Sequence, residues 1–479
     1  MEELRPDFIW HNRHILLFLL LQLLLIELQV SAFTVKYLPG FQGPLPFHLE
    51  TGYVGVGESE NVQLFYYFVK SERSPEEDPL VLWLTGGPGC SAWSGLVYEI
   101  GPLNYKIEQY NGSLPSLVLN HYSWTKVSNI IFVDSPVGTG FSYAETSLGY
   151  ELGDFSQVHH LIQFFRKWLI NHTEFISNPV YIAGDSYSGI IIPPLVQQIS
   201  NGIKEGTIPP IDLKGYILGN PITDQSSNGN YKIPFAHGMA LISDELYKSL
   251  EKSCRGEYTD IDPSNTECLK VFQAYQNCIS GINDAHILEP HCTFASPKPQ
   301  NLITERRSLN QYSTEVFLYS DDQPLPQIGC RNYDQLLSRY WTNDCHVRKA
   351  LGTRKGSIRE WHRCNEDIRQ FREYKNEVLN TLQYHVNLSA QGYRSLIYSG
   401  DHDMSVPYLA TQAWIKSLNY STVDDWRPWI VQGQVGGYTM RYSNRMTFAT
   451  VKGAGHTAPQ YKPKECFAIF ERWIDHKSL

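Results

Sequence analysis

The 479-residue sequence has no second apolar run of membrane length, no basic stripe, no close CxxC pair, no cluster with zinc-ligand spacing and no internal repeat. Each absence excludes something. Without a later apolar stretch, no spanning helix is expected beyond the N-terminal region. The formal net charge of −9 is dispersed along the chain, so nucleic acid finds no electrostatic footprint. Without grouped cysteine and histidine ligands, no metal is expected.

The chain opens on a leader pattern. Arg5 and Arg13 stand in a polar start, Ile15 to Leu21 and Leu23 to Ile26 are apolar, and Val30-Ser31-Ala32 offers small residues for cleavage. Residues 1–32 are expected to be a secretory signal. A membrane anchor is the competing reading, but Glu27 interrupts the stretch and a cleavage site follows. No stable membrane anchor is expected after cleavage. Nine cysteines (Cys90, Cys254, Cys268, Cys278, Cys292, Cys330, Cys345, Cys364 and Cys466) suit an oxidising compartment. Their odd number leaves at least one unpaired in a monomer. Sequons at Asn111, Asn171, Asn387 and Asn419 are expected to carry N-linked glycans.

Gln63 to Val69 reads as a strand with Phe65, Tyr67 and Val69 on one face. Leu80 to Leu84 and Asn129 to Val133 are continuous apolar strands, as a buried sheet requires. Phe155 to Leu169 reads as a helix, and Val180 to Ala183 and Tyr216 to Gly219 as further strands. Sheet character resumes at Tyr393 to Tyr398 and at Thr447 to Val451. The alternation predicts an α/β fold with a mostly parallel central sheet and helices on both faces. Residues 33–223 and 381–479 would form the two parts of this core. Residues 224–380 would form an inserted helical cap bearing disulfides, with an exposed segment near 295–311 as a candidate for processing.

The chemistry centres on Gly184-Asp185-Ser186-Tyr187-Ser188-Gly189, between an apolar run and Ile190-Ile191-Ile192. A serine among small residues at a strand-to-helix turn looks like a nucleophile elbow, although Ser188 stands where its simplest form has glycine. A nucleophilic serine needs a base and an orienting acid. His456 lies in the Gly-rich Lys452-Gly453-Ala454-Gly455-His456-Thr457-Ala458-Pro459, beyond a strand, and is the candidate base. Asp401 and Asp403, in Tyr398-Ser399-Gly400-Asp401-His402-Asp403, are both placed to be the acid, and Asp401 could instead bind neighbouring amides. The backbone amides of Gly87, in Thr85-Gly86-Gly87-Pro88-Gly89-Cys90, and of Tyr187 are the candidate oxyanion donors. Trp83, Trp93 and Tyr187 are candidates for contact with an aromatic acyl group, and Tyr143 for a pocket wall; ordinary packing is the alternative for each.

Taken together, these strings and Asp134-Ser135-Pro136-Val137-Gly138-Thr139-Gly140-Phe141-Ser142-Tyr143 resemble the serine carboxypeptidase family from about Val35 to the C-terminus. The resemblance implies an α/β-hydrolase core with a helical cap and Asp403 as the acid. It also implies disulfides Cys90–Cys364, Cys254–Cys268 and Cys292–Cys330, leaving Cys278, Cys345 and Cys466 unassigned. In family peptidases the positions of Thr85, Asp185 and Glu99 help recognise a free carboxylate, usually with asparagine and glutamate at the first two. Here Thr85 lacks the amide donor and Asp185 is one methylene shorter, while Glu99 remains.

The Thr85-Gly86-Gly87 and Asp185-Ser186-Tyr187 forms look like the plant serine carboxypeptidase-like acyltransferases. That likeness implies transfer from a 1-O-acyl-β-glucose, phenolic in its acyl part, to an alcohol acceptor, with no metal or nucleotide cofactor. It also implies delivery to the vacuole; an extracellular product is the alternative. A serine carboxypeptidase releasing C-terminal amino acids is the competing activity, and a noncatalytic secreted binding protein a further one.

Overall fold

The computed structural model describes residues 32–108, 110–290, 331–370, 372 and 374–479. The expected leader up to Ser31, Cys292, Cys330 and the 295–311 segment lie outside the described residues.

Fourteen strands are described: β1 Phe33–Val35, β2 Leu49–Val56, β3 Val62–Val69, β4 Leu80–Leu84, β5 Leu103–Tyr105, β6 Leu117–Leu119, β7 Asn129–Val133, β8 Tyr143–Ala144, β9 Val180–Asp185, β10 Leu213–Gly219, β11 Arg394–Gly400, β12 Thr422–Val431, β13 Gln434–Tyr442 and β14 Met446–Val451. Strands β5 and β6 pair only with each other; the others form one sheet in the order β1-β2-β3-β7-β4-β9-β10-β11-β14-β13-β12, with β8 on β3. The middle, from β7 through β14, is parallel, and both flanks are antiparallel.

Both faces of this sheet are covered, which explains the continuous apolar runs. Strand β3 divides its side chains by the period of two: Phe65, Tyr67 and Val69 enter one core, and Leu64, Tyr66 and Phe68 the other. Helices α1 (Asp154–Asn171) and α2 (Ser188–Lys204) cover the second face, through Leu161, Phe164, Phe165 and Trp168 of α1 and Ile190, Leu195 and Val196 of α2.

The inserted region divides. Helices α3 (Gln225–Asn230), α4 (Lys232–Gly238), α5 (Asp244–Cys254) and α6 (Thr266–Ile279) enclose a separate small core of Ile233, Phe235, Leu250, Tyr275 and Ile287, joined by Met404. The Cys254–Cys268 disulfide ties α5 to α6. Ser243 and Asn265 cap these two helices by accepting the N–H groups of Leu246 and Cys268. Helices α7 (Arg331–Asn343) and α8 (Cys345–Ala350) behave differently. They send Leu337, Trp341, Val347 and Leu351 into the first core of the sheet, as does Trp361 beyond them. The expectation of one cap over 224–380 is corrected accordingly, because the apolar residues after 331 are spent on the sheet.

The short α9 (Glu366–Arg369), α10 (Leu382–Ala390), α11 (Tyr408–Ser417), α12 (Ala458–Tyr461) and α13 (Pro463–Ile474) complete the chain. On α13, Phe470 stacks on Trp124 with ring centroids 4.1 Å apart, closing the first face. No helix among the described residues is long and apolar enough to cross a membrane.

Candidate active site

Five strands adjacent in the sheet deliver polar groups at their C-terminal ends: β4 leads to Thr85-Gly86-Gly87, β9 to Ser186, β10 to Asn220, β11 to Asp401–Asp403 and β14 to His456. Ligand sites of parallel sheets lie at this edge.

Ser186 occupies a left-handed backbone conformation, φ 54°. A non-glycine residue reaches that region only where its surroundings hold it. Its N–H donates to Gly219 O at 2.9 Å, and its carbonyl accepts from Gly189 and Ile222 N–H at 3.0 Å each. A Cβ on Gly184 would lie 2.3 Å from Leu84 O, so the turn needs a glycine there for close approach. The departure at Ser188 is absorbed: its buried hydroxyl donates to Leu84 O at 3.0 Å.

Ser186 Oγ lies 2.8 Å from His456 Nε2, and His456 Nδ1 lies 2.7 Å from Asp403 Oδ2. Asp403 is fully buried. Its Oδ1 accepts from the N–H groups of Ser405 and Val406 at 2.8 and 3.1 Å. An acceptor carboxylate at Nδ1 places the imidazole proton there, leaving Nε2 to accept from the serine hydroxyl. Burial pulls the His456 pKa down, but the charge and hydrogen bond of Asp403, with Asp185 adding, bring it above the ordinary imidazole value. Asp401 is used differently. Its Oδ1 accepts from Gly453 N–H at 2.7 Å and faces His402 Nδ1, so it braces the histidine loop.

The Gly86-Gly87 turn lies directly against the serine. A Cβ on Gly86 would sit 2.7 Å from Ser186 Cβ and 2.9 Å from Tyr187 N. Gly87 has φ 125°, and its N–H has no hydrogen-bond partner among the described residues. The turn is held from outside by the Cys90–Cys364 disulfide, flanked by Ser91 N–H to Arg363 O and Asn365 N–H to Gly89 O at 2.7 and 2.8 Å.

Beside the serine, Asp185 Oδ1 accepts from Gly86 N–H at 3.0 Å. Half-buried Thr85 accepts the Trp83 indole N–H at 3.2 Å. Glu99 is 4% exposed, and its Oε2 has no partner among the described residues. Burial raises the Glu99 carboxyl well above the usual range, with the Asp185 charge adding and Arg363 opposing. Burial likewise raises Asp185, against the lowering effects of His456 and the Gly86 N–H.

Three aromatic expectations are corrected. Trp83 is fully buried in the sheet core and touches Thr85 rather than open space. Trp93 is also fully buried, stacked on Trp341 at 4.6 Å with its indole N–H on Tyr105, so no face of it is left for an acyl group. The Tyr187 ring is turned inward, its hydroxyl donating to buried Asp154 at 2.9 Å; only its backbone borders the site. Tyr143 is half-buried in a cluster with Tyr53 and Arg354, whose guanidinium donates to its hydroxyl at 2.9 Å.

Two further residues join the site. Asn220 Nδ2 donates to Asp403 Oδ2 at 2.7 Å, and Arg363 acts on the Glu99–Asp185 pair. The sequence signals were faint: an Asn-Pro turn after a strand, and a cation beside a bonded cysteine.

Elsewhere, Asn111, Asn171, Asn387 and Asn419 are all exposed. Cys278 and Cys345 are exposed free thiols, and Cys466 is a buried one. Among the described residues, Asp344, Cys345 and His346 form the one group of three metal-type ligands, at the start of α8.

The serine carboxypeptidase family model matches residues 39–476. Serine carboxypeptidase-like 7 of Arabidopsis thaliana is 53% identical over 465 residues, covering 97% of this chain and 98% of that protein. Serine carboxypeptidase-like 19 of the same plant is 52% identical over 468 residues, covering 97% and 99%. The solved structure of a prohormone-processing carboxypeptidase from Saccharomyces cerevisiae matches with a TM-score of 0.72 at 20% identity, covering 93% of this chain and 96% of that one. That likeness establishes the α/β-hydrolase fold with an inserted helical region. The chain belongs to the serine carboxypeptidase family, and its fold and kinship support an enzyme of serine-hydrolase type.

Proposed function

We propose that this member of the serine carboxypeptidase family moves an acyl group, phenolic in character, from a 1-O-acyl-β-glucose through an acyl-Ser186 intermediate to an alcohol acceptor. The observation that carries the reading is Thr85. Its oxygen accepts the Trp83 indole N–H, leaving a single hydroxyl donor. An asparagine amide there would offer two donors to a substrate carboxylate. With Asp185 Oδ1 also committed to Gly86 N–H, the position suits a neutral hydroxylated leaving group better than an anion.

In this mechanism Ser186 Oγ attacks the ester carbonyl and its proton passes to His456 Nε2. Asp403 stabilises the imidazolium, and the amides of Gly87 and Tyr187 receive the developing oxyanion. The C1 oxygen of glucose departs with the proton from His456, leaving the acyl-serine ester. The acceptor hydroxyl then loses its proton to His456 and attacks the acyl carbon. That proton returns to Ser186 Oγ as the product ester leaves. Transfer outpaces hydrolysis when a bound alcohol is held against the acyl group and water is kept out. The protein would act in the secretory route, in the vacuole or outside the cell, as a glycoprotein.

Release of C-terminal amino acids is the second reading. It is favoured by the family itself and by the retained Glu99 with its raised carboxyl beside Asp185. The two separate in one assay. The purified full-length glycoprotein is given a panel of 1-O-acylglucoses with alcohols and, separately, N-blocked dipeptides. Transfer predicts glucose and new ester in equal amounts, lost in Ser186→Ala. Amino-acid release without ester formation would overturn it in favour of the peptidase.

A further inference from the structure

The segment between α6 and Glu289 does more than close the cap core. Asp284 O accepts the N–H groups of both Met404 and Ser405 at 2.9 Å, just beyond Asp403. Ala285 O accepts the N–H of His456 itself at 2.7 Å. Ile287 N–H donates to His402 O at 3.1 Å, and the His286 ring lies 3.3 Å from Gly453 O through Nε2. Four consecutive residues of the insertion therefore grip the acid loop and the histidine loop at once. From Glu289, the Arg331 guanidinium carries the contact onward, 2.7 Å from Glu289 Oε1 and 3.6 Å from the Tyr461 ring centroid.

Glycine makes the grip possible. A Cβ on Gly455 would lie 2.2 Å from Ala285 O and 2.7 Å from His286 Cβ. Gly455 is not in the left-handed region, so proximity rather than backbone conformation requires a glycine there. On the other side, a Cβ on Gly400 would lie 2.3 Å from Gly455 O. The acid loop, the histidine loop and the cap segment meet largely backbone on backbone, with the His286 ring against the histidine loop.

We propose that residues 284–287 are a positioning clasp, through which the cap sets the hydrogen bond between Asp403 and His456. The clasp holds both ends of that bond by main-chain contacts, so a shift of the cap would move acid and base relative to each other. This inference rests on the reading of Ser186, Asp403 and His456 as the reacting groups. The charged groups acting on His456 are Asp403, Asp185 and Lys232, and the variants below leave all three in place.

The test measures labelling of Ser186 by a fluorophosphonate across pH, with thermal unfolding in parallel. The serine oxygen forms a bond to phosphorus, fluoride leaves and His456 takes the proton. Gly455→Ala should slow labelling about tenfold or more, since small misplacements of catalytic groups are costly. It should also move the pH midpoint downward, as His456 loses part of the raising effect of Asp403. Ile287→Ala, which keeps the N–H on His402 O but removes the side chain that anchors the clasp in the cap core, should act in the same direction from the cap side. Leu250→Ala, in the same cap core but not in the clasp, should lower the melting temperature while leaving rate and midpoint near wild type. If Gly455→Ala does not fold, Ile287→Ala decides by the same criteria. Unchanged rate and midpoint in the clasp variants, or an equal loss in Leu250→Ala, would overturn the clasp alone. A wild-type protein that is not labelled, or a Ser186→Ala variant labelled equally, would remove the Ser186 reading and this one with it.

Discussion

The side-chain amide of Asn220 donates to Asp403 Oδ2, the same carboxylate oxygen that faces His456 Nδ1. Its own Oδ1 accepts from Gly400 N–H at 3.2 Å, and its backbone N–H donates to Tyr398 O at 2.7 Å. Asn220 thus holds the carboxylate at the very oxygen that the imidazole uses. Hydrogen bonds to charged groups contribute about 1.5–3 kcal/mol. Asn220→Ala should therefore lower kcat roughly tenfold to a hundredfold, with little change in KM. Asn220→Asp would add a second carboxylate and raise the His456 pKa further, moving the acid limb of the kcat/KM profile upward. Steady-state kinetics across pH checks both.

Glu99 and Asp185 give stability a definite pH sign. The folded-state pKa of each is raised, by burial first, so the folded protein holds protons that the unfolded chain releases. Their contribution is fully present below the ordinary carboxyl values of 4.5 and 3.8 and is lost as pH rises through the raised folded values. Thermal unfolding should show stability falling from about pH 5 upward, with a smaller fall in Glu99→Gln because one of the two groups no longer titrates.

The disulfide Cys90–Cys364 joins residues 274 positions apart and borders the Gly86-Gly87 turn, whereas Cys254–Cys268 closes a separation of 14 within the cap. Replacing Cys90 and Cys364 by serine should cost about 5–6 kcal/mol by loop-closure reasoning. It should also depress kcat more than the matching cap double mutant does. Denaturant unfolding and kinetics on the two double mutants separate stability from positioning of the turn.

Thr85→Asn restores a two-donor amide where Trp83 now donates to a hydroxyl. Transfer should fall and release from N-blocked dipeptides should rise. A single regained hydrogen bond of about 1.4 kcal/mol would change the ratio of the two activities roughly tenfold. Unchanged partitioning in a competition assay would remove Thr85 from the determinants of substrate choice.

Much of the sheet was legible because it is buried on both sides. Strands β4 and β7 appear as uninterrupted apolar runs, and the structure places them at the same residues, Leu80–Leu84 and Asn129–Val133. The hairpin β12–β13 was not legible. Its residues are largely exposed, and Asp424, Asp425, Arg427 and Pro428 give an outer strand without an apolar signal. At the site, Ser186 and His456 were legible from glycine-framed loops that follow strands, whereas the choice of Asp403 over Asp401 came only from the family resemblance. Asn220 was not, since its partner is 183 residues away and only the pairing of β10 with β11 makes them neighbours. Trp93 misled for the converse reason. It stands close to the glycine turn in sequence, yet it is fully buried and stacked on Trp341.

In the order β4-β9-β10-β11-β14, the strand tails give one group each: the Gly86-Gly87 turn, Ser186, Asn220, Asp403 and His456. Neighbouring strands lie about 4.8 Å apart, so the relay has the pitch of the sheet, and each group is carried on a separate stretch of backbone. The consequence is modularity. The β4 tail, which carries Thr85, can be rewritten by substitution or by change of loop length while the register that spaces Ser186, Asp403 and His456 stays intact. On the proposed reading, a lineage can thereby alter which substrate it admits without rebuilding the groups that would take up the acyl group.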